Sequence, residues 1–516
     1  MGSKKLFFKW SVVIRDIRNY WPAWVIPSIG YLLSVTCFLG ITPYYSRAEM
    51  AKELLSILSG ASVCFSYGLG LVVSFCCFGY LGNRKKHYMF EALPASRLEM
   101  FATRFVTGFI MMTIPSLVIY VAEIIQTAAQ SGNVPISELS LWLLMNTVMN
   151  LFWFAFGILF MVLCGRLLMA GFCYVAFSLA GLVFEYLLYV YNSYMFVGFF
   201  STFESEILHL GIVSPLEYML NNDLYYGELG SNYTVQVLLI ATGALLFGIA
   251  SILLYKVRKA ERTGDNIVFD FMKTVFSCCA SFIFSMIMTF IMIGILFTES
   301  EGIAHYTSYR VCIVTFVIIF SAVGYFASGM IIEKKFGVFR KYLVKALIFT
   351  GIMTVLCILY LHDIFGIEKY IPAKEDISRC QINGEIYHTG WENIFYDDNC
   401  VSTDDEKQAV LDFHEIIVKN MDEVVRYYQE TGDEDRYDEY GDISVYPYDQ
   451  GFLRNICTVH IIYVLNNGKE ICRTYYIKPG GKLYEELEAY TWSHEKYIEK
   501  TTITNYLKQL DKNDDM

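Results

Sequence analysis

The chain has 516 residues, 55% of them hydrophobic, and a mean hydropathy of +0.41, which excludes an ordinary soluble domain and indicates a polytopic membrane protein. Its net charge of −11 is unevenly distributed, because residues 363–516 hold 32 acidic and 16 basic side chains. Residues 1–362 hold 19 acidic and 24 basic ones. The sequence therefore predicts a basic membrane part followed by an acidic soluble part, and no nucleic-acid partner is expected.

The leader, residues 1–22, has the periodicity of an amphipathic helix. Apolar residues recur every three or four positions, with polar residues such as Lys9 and Asp16 between them; the apolar positions are Leu6, Trp10, Val13, Ile17 and Tyr20. This pattern predicts an elbow helix that lies in the cytoplasmic interface of the membrane. A simple juxtamembrane anchor is the alternative.

Nine apolar segments follow, and each is long enough to cross about 30 Å of hydrocarbon as a helix. They lie at about 24–40, 55–81, 102–128, 139–164, 168–191, 235–255, 275–297, 311–332 and 346–361. The predicted fold is an all-α polytopic membrane protein of about nine transmembrane helices with a C-terminal α+β extracytoplasmic domain. Its predicted parts are the leader, a six-helix core (23–260), three additional helices (261–362) and the acidic domain (363–516).

Basic residues alternate between the loops. The leader and the second, sixth and eighth loops are rich in Lys and Arg, whereas the first, third, fifth and seventh loops carry two or fewer each. By the positive-inside rule, the N-terminus is predicted to be cytoplasmic and the C-terminal domain extracytoplasmic.

In the second span, Gly60, Cys64 and Gly68 fall on one helix face. Small residues allow close helix approach, so this face is predicted to pack within the subunit, with a dimer seam as the alternative.

Polar residues within the predicted spans are few. Glu123 and Glu185 lie near the outer ends of their helices and are expected to reach the interface. Asn146 and Asn150 are one turn apart and are expected to bond across helices.

The second loop, residues 82–100, is too long for a hairpin and too apolar for a free loop. A short helix is predicted at Tyr88–Leu93, ended before Pro94, and Ser96 with Glu99 forms a capping box for the next helix. Such a helix is a docking surface; the alternative is a topology signal alone.

The fifth loop, residues 192–234, is apolar and has no basic residue. It includes Phe196, Phe199, Glu204 and Pro215. Apolar residues beyond a span need cover, so short helices that dip back into the outer leaflet are expected.

The tail is predicted to be α+β. Thr403 and Glu406 form a capping box for a helix to about Glu430, strands at 454–465 and 469–478 are joined by an Asn467-Gly468 turn, and a further helix covers 493–510. The turn would place Cys472 opposite Tyr463, which argues against a Cys457–Cys472 disulfide bond.

This order of parts resembles the permease subunits of type-2 ABC exporters, and specifically the Firmicutes-type permeases with a C-terminal extracytoplasmic domain. The leader, the loop with its Leu93-Pro94-Ala95-Ser96-Arg97 stretch and the apolar fifth loop carry the resemblance, over about residues 1–260. Three additional helices and the tail depart from a plain six-helix exporter.

The resemblance implies a role for each of these parts. An ATPase-docking coupling helix would use Arg84, Lys85, Tyr88, Phe90, Leu93 and Arg97. The elbow helix would use Leu6, Trp10, Val13 and Ile17, and re-entrant helices at the outer mouth would use Phe196, Phe199, Glu204 and Pro215.

It also implies a pore-forming subunit of the bacterial cell membrane that binds no cofactor or metal itself. ATP and Mg would act through separate ABC ATPase subunits, and a second permease subunit, identical or homologous, would complete the exporter. Membrane lipid is a further expected partner. The cargo would be a peptide, a lipid-linked molecule or another amphipathic compound.

No enzyme signature is present in the sequence. There is no Walker A, H-E-x-x-H or G-x-S-x-G motif and no zinc-type Cys/His spacing, so the chain is not expected to be an enzyme. The alternative function is a membrane sensor or scaffold whose extracytoplasmic domain binds a ligand or envelope partner.

Overall fold

Long helices make up most of the chain, and a small antiparallel sheet follows them. The computed structural model describes residues 9–39, 47–92, 95–131, 136–199, 215–216, 219, 232–296, 306–364, 366–385, 403–432, 457–466, 470–478 and 480–493. The chain divides into two units. Unit 1 comprises Met1–Leu182, Leu210–Cys279 and Ser328–Val338, and unit 2 comprises Val183–His209, Ala280–Ala327 and Phe339–Met516.

The helices up to the tail are α1 (Trp10–Asn19), α2 (Trp21–Leu39), α3 (Arg47–Phe78), α4 (Arg84–Glu91), α5 (Arg97–Ser131), α6 (Ile136–Leu163), α7 (Leu167–Met195), α8 (Asn232–Val257), α9 (Asp270–Leu296), α10 (Tyr306–Glu333) and α11 (Phe339–Leu361). The tail contains β1 (Ile377–Glu385), α12 (Asp404–Lys419), α13 (Met421–Gly432), β2 (Cys457–Leu465), β3 (Glu470–Ile477) and α14 (Lys482–Ser493).

Among the described residues, eight helices are long and apolar enough to cross a membrane, which is consistent with a helical membrane protein. They lie within α3 and α5 to α11 and match the second to the ninth predicted spans. The predicted first span falls on α2, whose side chains are described only as far as Leu33. A ninth span therefore stays a prediction.

Helix α6 is the most deeply buried helix of unit 1. Its Trp142 and Trp153 are completely buried. A Cβ atom on Gly70 of α3 would lie 2.7 Å from the Cβ of Trp153, and one on Gly157 of α6 would lie 2.6 Å from the Oγ of Ser74. The two helices therefore approach this closely because glycine stands at both positions.

The predicted internal packing of Gly60, Cys64 and Gly68 is wrong. Among the residues that the structure describes, a Cβ atom on Gly60 or Gly68 would meet no atom within 4 Å, and Cys64 is exposed. Helix α3 turns the face that contains Gly70 towards α6 instead, so the stripe faces outward from the helices of unit 1.

Helix-to-helix bonding by the two asparagines is confirmed. Asn146 accepts from the Oγ of Ser66 at 3.0 Å and donates to the Oγ of Ser116 at 3.0 Å, and Asn150 donates to the same Ser116 hydroxyl at 3.0 Å. These bonds join α3, α5 and α6. Glu123 is 0% and Glu185 is 7% exposed, so both are covered by protein, and their position at the membrane interface stays a prediction.

The tail contains the predicted capping box and hairpin. The Oγ1 of Thr403 accepts from the backbone N–H of Glu406, and the Glu406 carboxylate accepts from the N–H of Thr403. The predicted single helix breaks at Asn420 into α12 and α13. Residues 467–469, the predicted turn, and most of the predicted 493–510 helix lie outside the described residues.

The tail sheet has the strand order β1-β2-β3 and is antiparallel throughout. Sequence reasoning missed β1 and α14. Cys472 pairs with Ile462 rather than with Tyr463, so the predicted register is one residue off, but Cys457 pairs with Ile477, which keeps it far from Cys472. Helices α12 to α14 cover the face that carries Val459, Ile461 and Tyr463.

Candidate functional site

One end of unit 1 gathers the loops that the sequence marks as basic. We define the basic platform as residues 79–97, 164–167, 258–270 and 331–338. These segments come from four different connections between helices, and they contact one another directly. Because connections on the same side of a membrane meet at one end of a helix bundle, this grouping agrees with the loop alternation read from the sequence.

Thr263 and Gly264 lie at the centre of the basic platform. The Nε of Arg84 donates to the carbonyl of Thr263 at 2.5 Å, and the Nδ1 of His87 lies 2.7 Å from the Thr263 hydroxyl. The carbonyl of Gly264 accepts from Arg166 Nε at 2.9 Å and from Lys334 Nζ at 2.6 Å. Gly264 has φ of +101°, which favours glycine.

A short backbone ladder adds to this arrangement. Cys164 and Ile267 form an antiparallel bridge, Val268 N–H donates to the carbonyl of Leu163 at 2.9 Å, and Gly264 N–H donates to that of Gly165 at 2.8 Å. A Cβ atom on Gly165 would lie 2.5 Å from the carbonyl oxygen of Asp265. The turn between α6 and α7 therefore docks against the loop after α8 through backbone hydrogen bonds as well as through the Arg166 side chain.

Arg258 holds three chain segments together beneath this surface. It is 2% exposed, and its Nη1 donates to the carbonyls of Met161 at 2.7 Å and Val162 at 2.6 Å. Its Nη2 donates to the carbonyl of Leu81 at 2.8 Å. These are end-of-helix carbonyls, which otherwise lack partners. Burial lowers the pKa of Arg258 to about 10, so it remains charged at neutral pH.

The predicted docking helix exists as α4, but its bounds are shifted towards the N-terminus. It begins after Asn83, whose side chain accepts from the N–H of Lys86, and it ends at Glu91. The predicted Ser96–Glu99 capping box is confirmed. The N–H of Glu99 donates to the Oγ of Ser96 at 3.2 Å, and the N–H of Ser96 donates to the Oε2 of Glu99 at 2.9 Å. Leu93 lies outside the described residues.

Three of the predicted docking residues also contact the platform itself. Arg84 binds Thr263, Arg97 donates to the carbonyl of Arg258 at 3.0 Å, and Phe90 packs on Tyr80 with 4.7 Å between ring centroids. Their role in docking stays a prediction, and the structure shows that they also hold the platform together. Lys85, Tyr88 (52% exposed) and the unpredicted Met89 (60% exposed) face outward.

The elbow helix exists as α1, and its orientation differs from the prediction. Val13 is buried and Ile17 is half-buried, as expected, whereas Trp10 is 49% exposed and Leu6 lies outside the described residues. Asp16, expected on the polar face, is 3% exposed and accepts from Arg104 Nη1 at 2.6 Å.

Arg104 connects α1 to α4. Its guanidinium carbon lies 4.8 Å from the centroid of the Phe90 ring and 5.7 Å from that of Tyr80, in addition to its ion pair with Asp16. No local pattern indicates this pairing, because Asp16 and Arg104 are 88 residues apart.

The predicted outer-mouth residues that the structure describes lie in two places. Phe196 (2% exposed) packs on Tyr360 in unit 2, and Phe199 forms a bridge with Arg473 of β3. Pro215 is half-buried within unit 1, and Glu204 lies outside the described residues. Phe196 and Phe199 therefore attach the end of α7 to the tail.

The attachment continues through the backbone. Thr474 N–H donates to the carbonyl of Gly198 at 3.0 Å, Val197 N–H donates to Glu368 Oε1 at 3.0 Å, and Val197 belongs to the tail core at 1% exposure. Burial raises the pKa of Glu368.

Family models, curated proteins and solved structures were compared with the chain, and none of them matches it. The basic platform and α4 are therefore the features of the molecule that bear on its function.

Proposed function

We propose that this chain is the permease subunit of an ATP-driven ABC exporter and that α4 is its ATPase-docking helix. The observation that carries the proposal is the pair Tyr88 and Met89, two large apolar side chains that are exposed on a short helix between two membrane-length helices. Apolar side chains presented together on a rigid helix are typical of a protein-binding surface.

The support beneath α4 makes it suitable for transmitting force. Arg84 and His87 fix one side of the helix to Thr263, and Phe90 fixes the other to Tyr80 and Arg104. A partner that moves α4 would therefore move the ends of α3, α5 and α8 with it. In this proposal ATP and Mg act through separate ATPase subunits, and a second permease subunit completes the pore.

The proposed orientation places the N-terminus and the basic platform in the cytoplasm of a bacterial cell and the tail outside its membrane. It follows from the loop charges. The cargo class is a peptide, a lipid-linked molecule or another amphipathic compound.

The test is co-purification of an ABC-type ATPase encoded beside this gene. The double variant Tyr88→Asp/Met89→Asp should insert normally into the membrane, because Arg84, Lys85 and Lys86 are unchanged. It should lose the ATPase, because each of the two charges placed in an apolar interface should weaken the binding free energy by several kcal/mol. The control variant Tyr88→Phe/Met89→Leu keeps the surface apolar and should retain it.

Equal recovery of the ATPase by both variants at equal membrane levels would contradict docking by α4. A neighbouring histidine kinase in place of an ATPase would favour the sensor or scaffold function instead.

A further inference from the structure

Glu123 of α5 is a carboxylate enclosed in unit 1 without a partner. It is 0% exposed, and among the described residues no hydrogen-bond donor reaches either of its carboxylate oxygens. It lies 19 residues after Arg104, or about 28 Å along the helix. Glu123 is therefore far from the basic platform and close to the other end of a membrane-length helix.

The polar groups nearest to Glu123 make their bonds elsewhere. The hydroxyl of Thr127 donates to the backbone carbonyl of Glu123 at 2.6 Å rather than to its side chain. The Tyr31 hydroxyl lies 2.6 Å from Ser62 Oγ, which also accepts from Trp142 Nε1 at 2.8 Å. The described surroundings thus offer Glu123 no counter-charge.

Titratable groups on the neighbouring helices do not change this picture. On α2, the hydroxyl of Tyr31 is bonded to Ser62. On α6, Glu138 is half-buried at the start of the helix, beside the buried Leu139. On α3, the described side chains that pack here are Leu58, Ala61, Ser62 and Phe65, and none of them titrates.

An ionised carboxylate in such surroundings would lose its hydration and gain nothing in return. The neutral acid avoids most of that cost. We propose that Glu123 is a proton-binding site of unit 1, which keeps its proton while α2, α3, α5 and α6 are packed together and releases it when they separate. The ligand is a proton, and its binding is linked to helix packing, so protonation stabilises the packed arrangement.

The experiment uses the full chain in lipid vesicles and two carbodiimides, which react with protonated carboxyl groups. Dicyclohexylcarbodiimide is apolar and enters through the lipid, whereas a water-soluble carbodiimide reaches only wetted acids. Peptide mass spectrometry should find Glu123 modified by the apolar reagent alone and Glu138, which is only half-buried, modified by the water-soluble one. The modification should be absent from Glu123→Gln and should decline as the pH is raised.

A second measurement does not depend on reagent access. The infrared difference between wild type and Glu123→Gln at neutral pH should contain the carbonyl stretch of a carboxylic acid. A difference that contains only carboxylate bands would overturn the proposal, as would modification of Glu123 by the water-soluble reagent at the rate of Glu138. Protection of Glu123 by sodium or potassium ions at constant pH would identify a metal-ion site and would equally overturn it.

Discussion

The basic platform of unit 1 and the tail of unit 2 hold their chain segments together by opposite chemistry. In the platform, charged side chains donate to backbone carbonyls, as Arg84, Arg166, Arg258 and Lys334 do. In the tail, an apolar core encloses neutral polar groups, with His414 lying 2.9 Å from the hydroxyl of Tyr463 and 2.8 Å from that of Tyr475. Basic residues that read as a topology signal therefore also serve as structural donors.

The difference predicts that removing one platform cation has the largest effect. In Arg258→Ala, the buried carbonyls of Leu81, Met161 and Val162 lose their hydrogen-bond donor. Each unsatisfied carbonyl should lower the free energy of unfolding by about 1–3 kcal/mol. We expect a sharp loss of thermal stability in detergent, measured by fluorescence-detected size exclusion after heating. Lys259→Ala, an exposed neighbour, is the control and should behave as wild type. Equal melting of the two variants would mean that the platform does not depend on Arg258.

The attachment of the tail is tested by a pair of glycines with positive φ. A Cβ atom at Gly198 (φ +77°) would lie 2.1 Å from Tyr475, whereas one at Gly366 (φ +67°) would meet no atom within 4 Å. Gly366→Ala should lower the stability of the tail by about 1 kcal/mol through backbone strain alone. Gly198→Ala should lower it further, because the added methyl group also displaces Tyr475. The readout is the rate at which a thiol reagent reaches the buried Cys380 in the full chain. Similar rates in the two variants would argue against a close contact at Gly198.

A further difference between the two regions is the pH dependence of the tail. Burial, and then the charge of Arg473, lowers the pKa of His414 to about 3, and burial lowers that of His460 to about 4. Both histidines have an ordinary pKa near 6.5 when the tail is unfolded, so the unfolded tail binds protons first as the pH falls. Stability should be full above pH 6.5 and fall by about 1.4 kcal/mol per pH unit for each histidine as the pH drops towards the folded pKa.

The rate of Cys380 modification between pH 7 and pH 4 measures this slope. The variant His414→Phe should show a weaker dependence of tail stability on pH, even though this variant is less stable than wild type at neutral pH. The control His362→Asn, which changes an exposed histidine, should leave the pH dependence unchanged. If the pH dependence of tail stability is the same in His414→Phe as in wild type, protonation of His414 does not cause it.

Local signals predicted well wherever the partners are close in sequence. The Ser96–Glu99 and Thr403–Glu406 capping boxes each join residues three apart, and the β2–β3 hairpin needs only a short turn. The candidate site was only partly predictable. Helix α4 could be read from the loop, but whether Phe90 faces outward or packs on Tyr80 depends on residues that the loop does not contain.

The sequence by itself determined the apolar helices, the alternation of basic loops and the acidic tail, because hydrophobic length and charge act locally along the chain. Only the tertiary structure decided that Asp16 pairs with Arg104, that Arg258 binds the ends of other helices and that Val197 enters the tail core. It also enclosed Glu123 among other side chains of unit 1. The physical reason is that burial of a charge or an apolar group is set by which helices surround it, and that arrangement joins residues far apart in the chain.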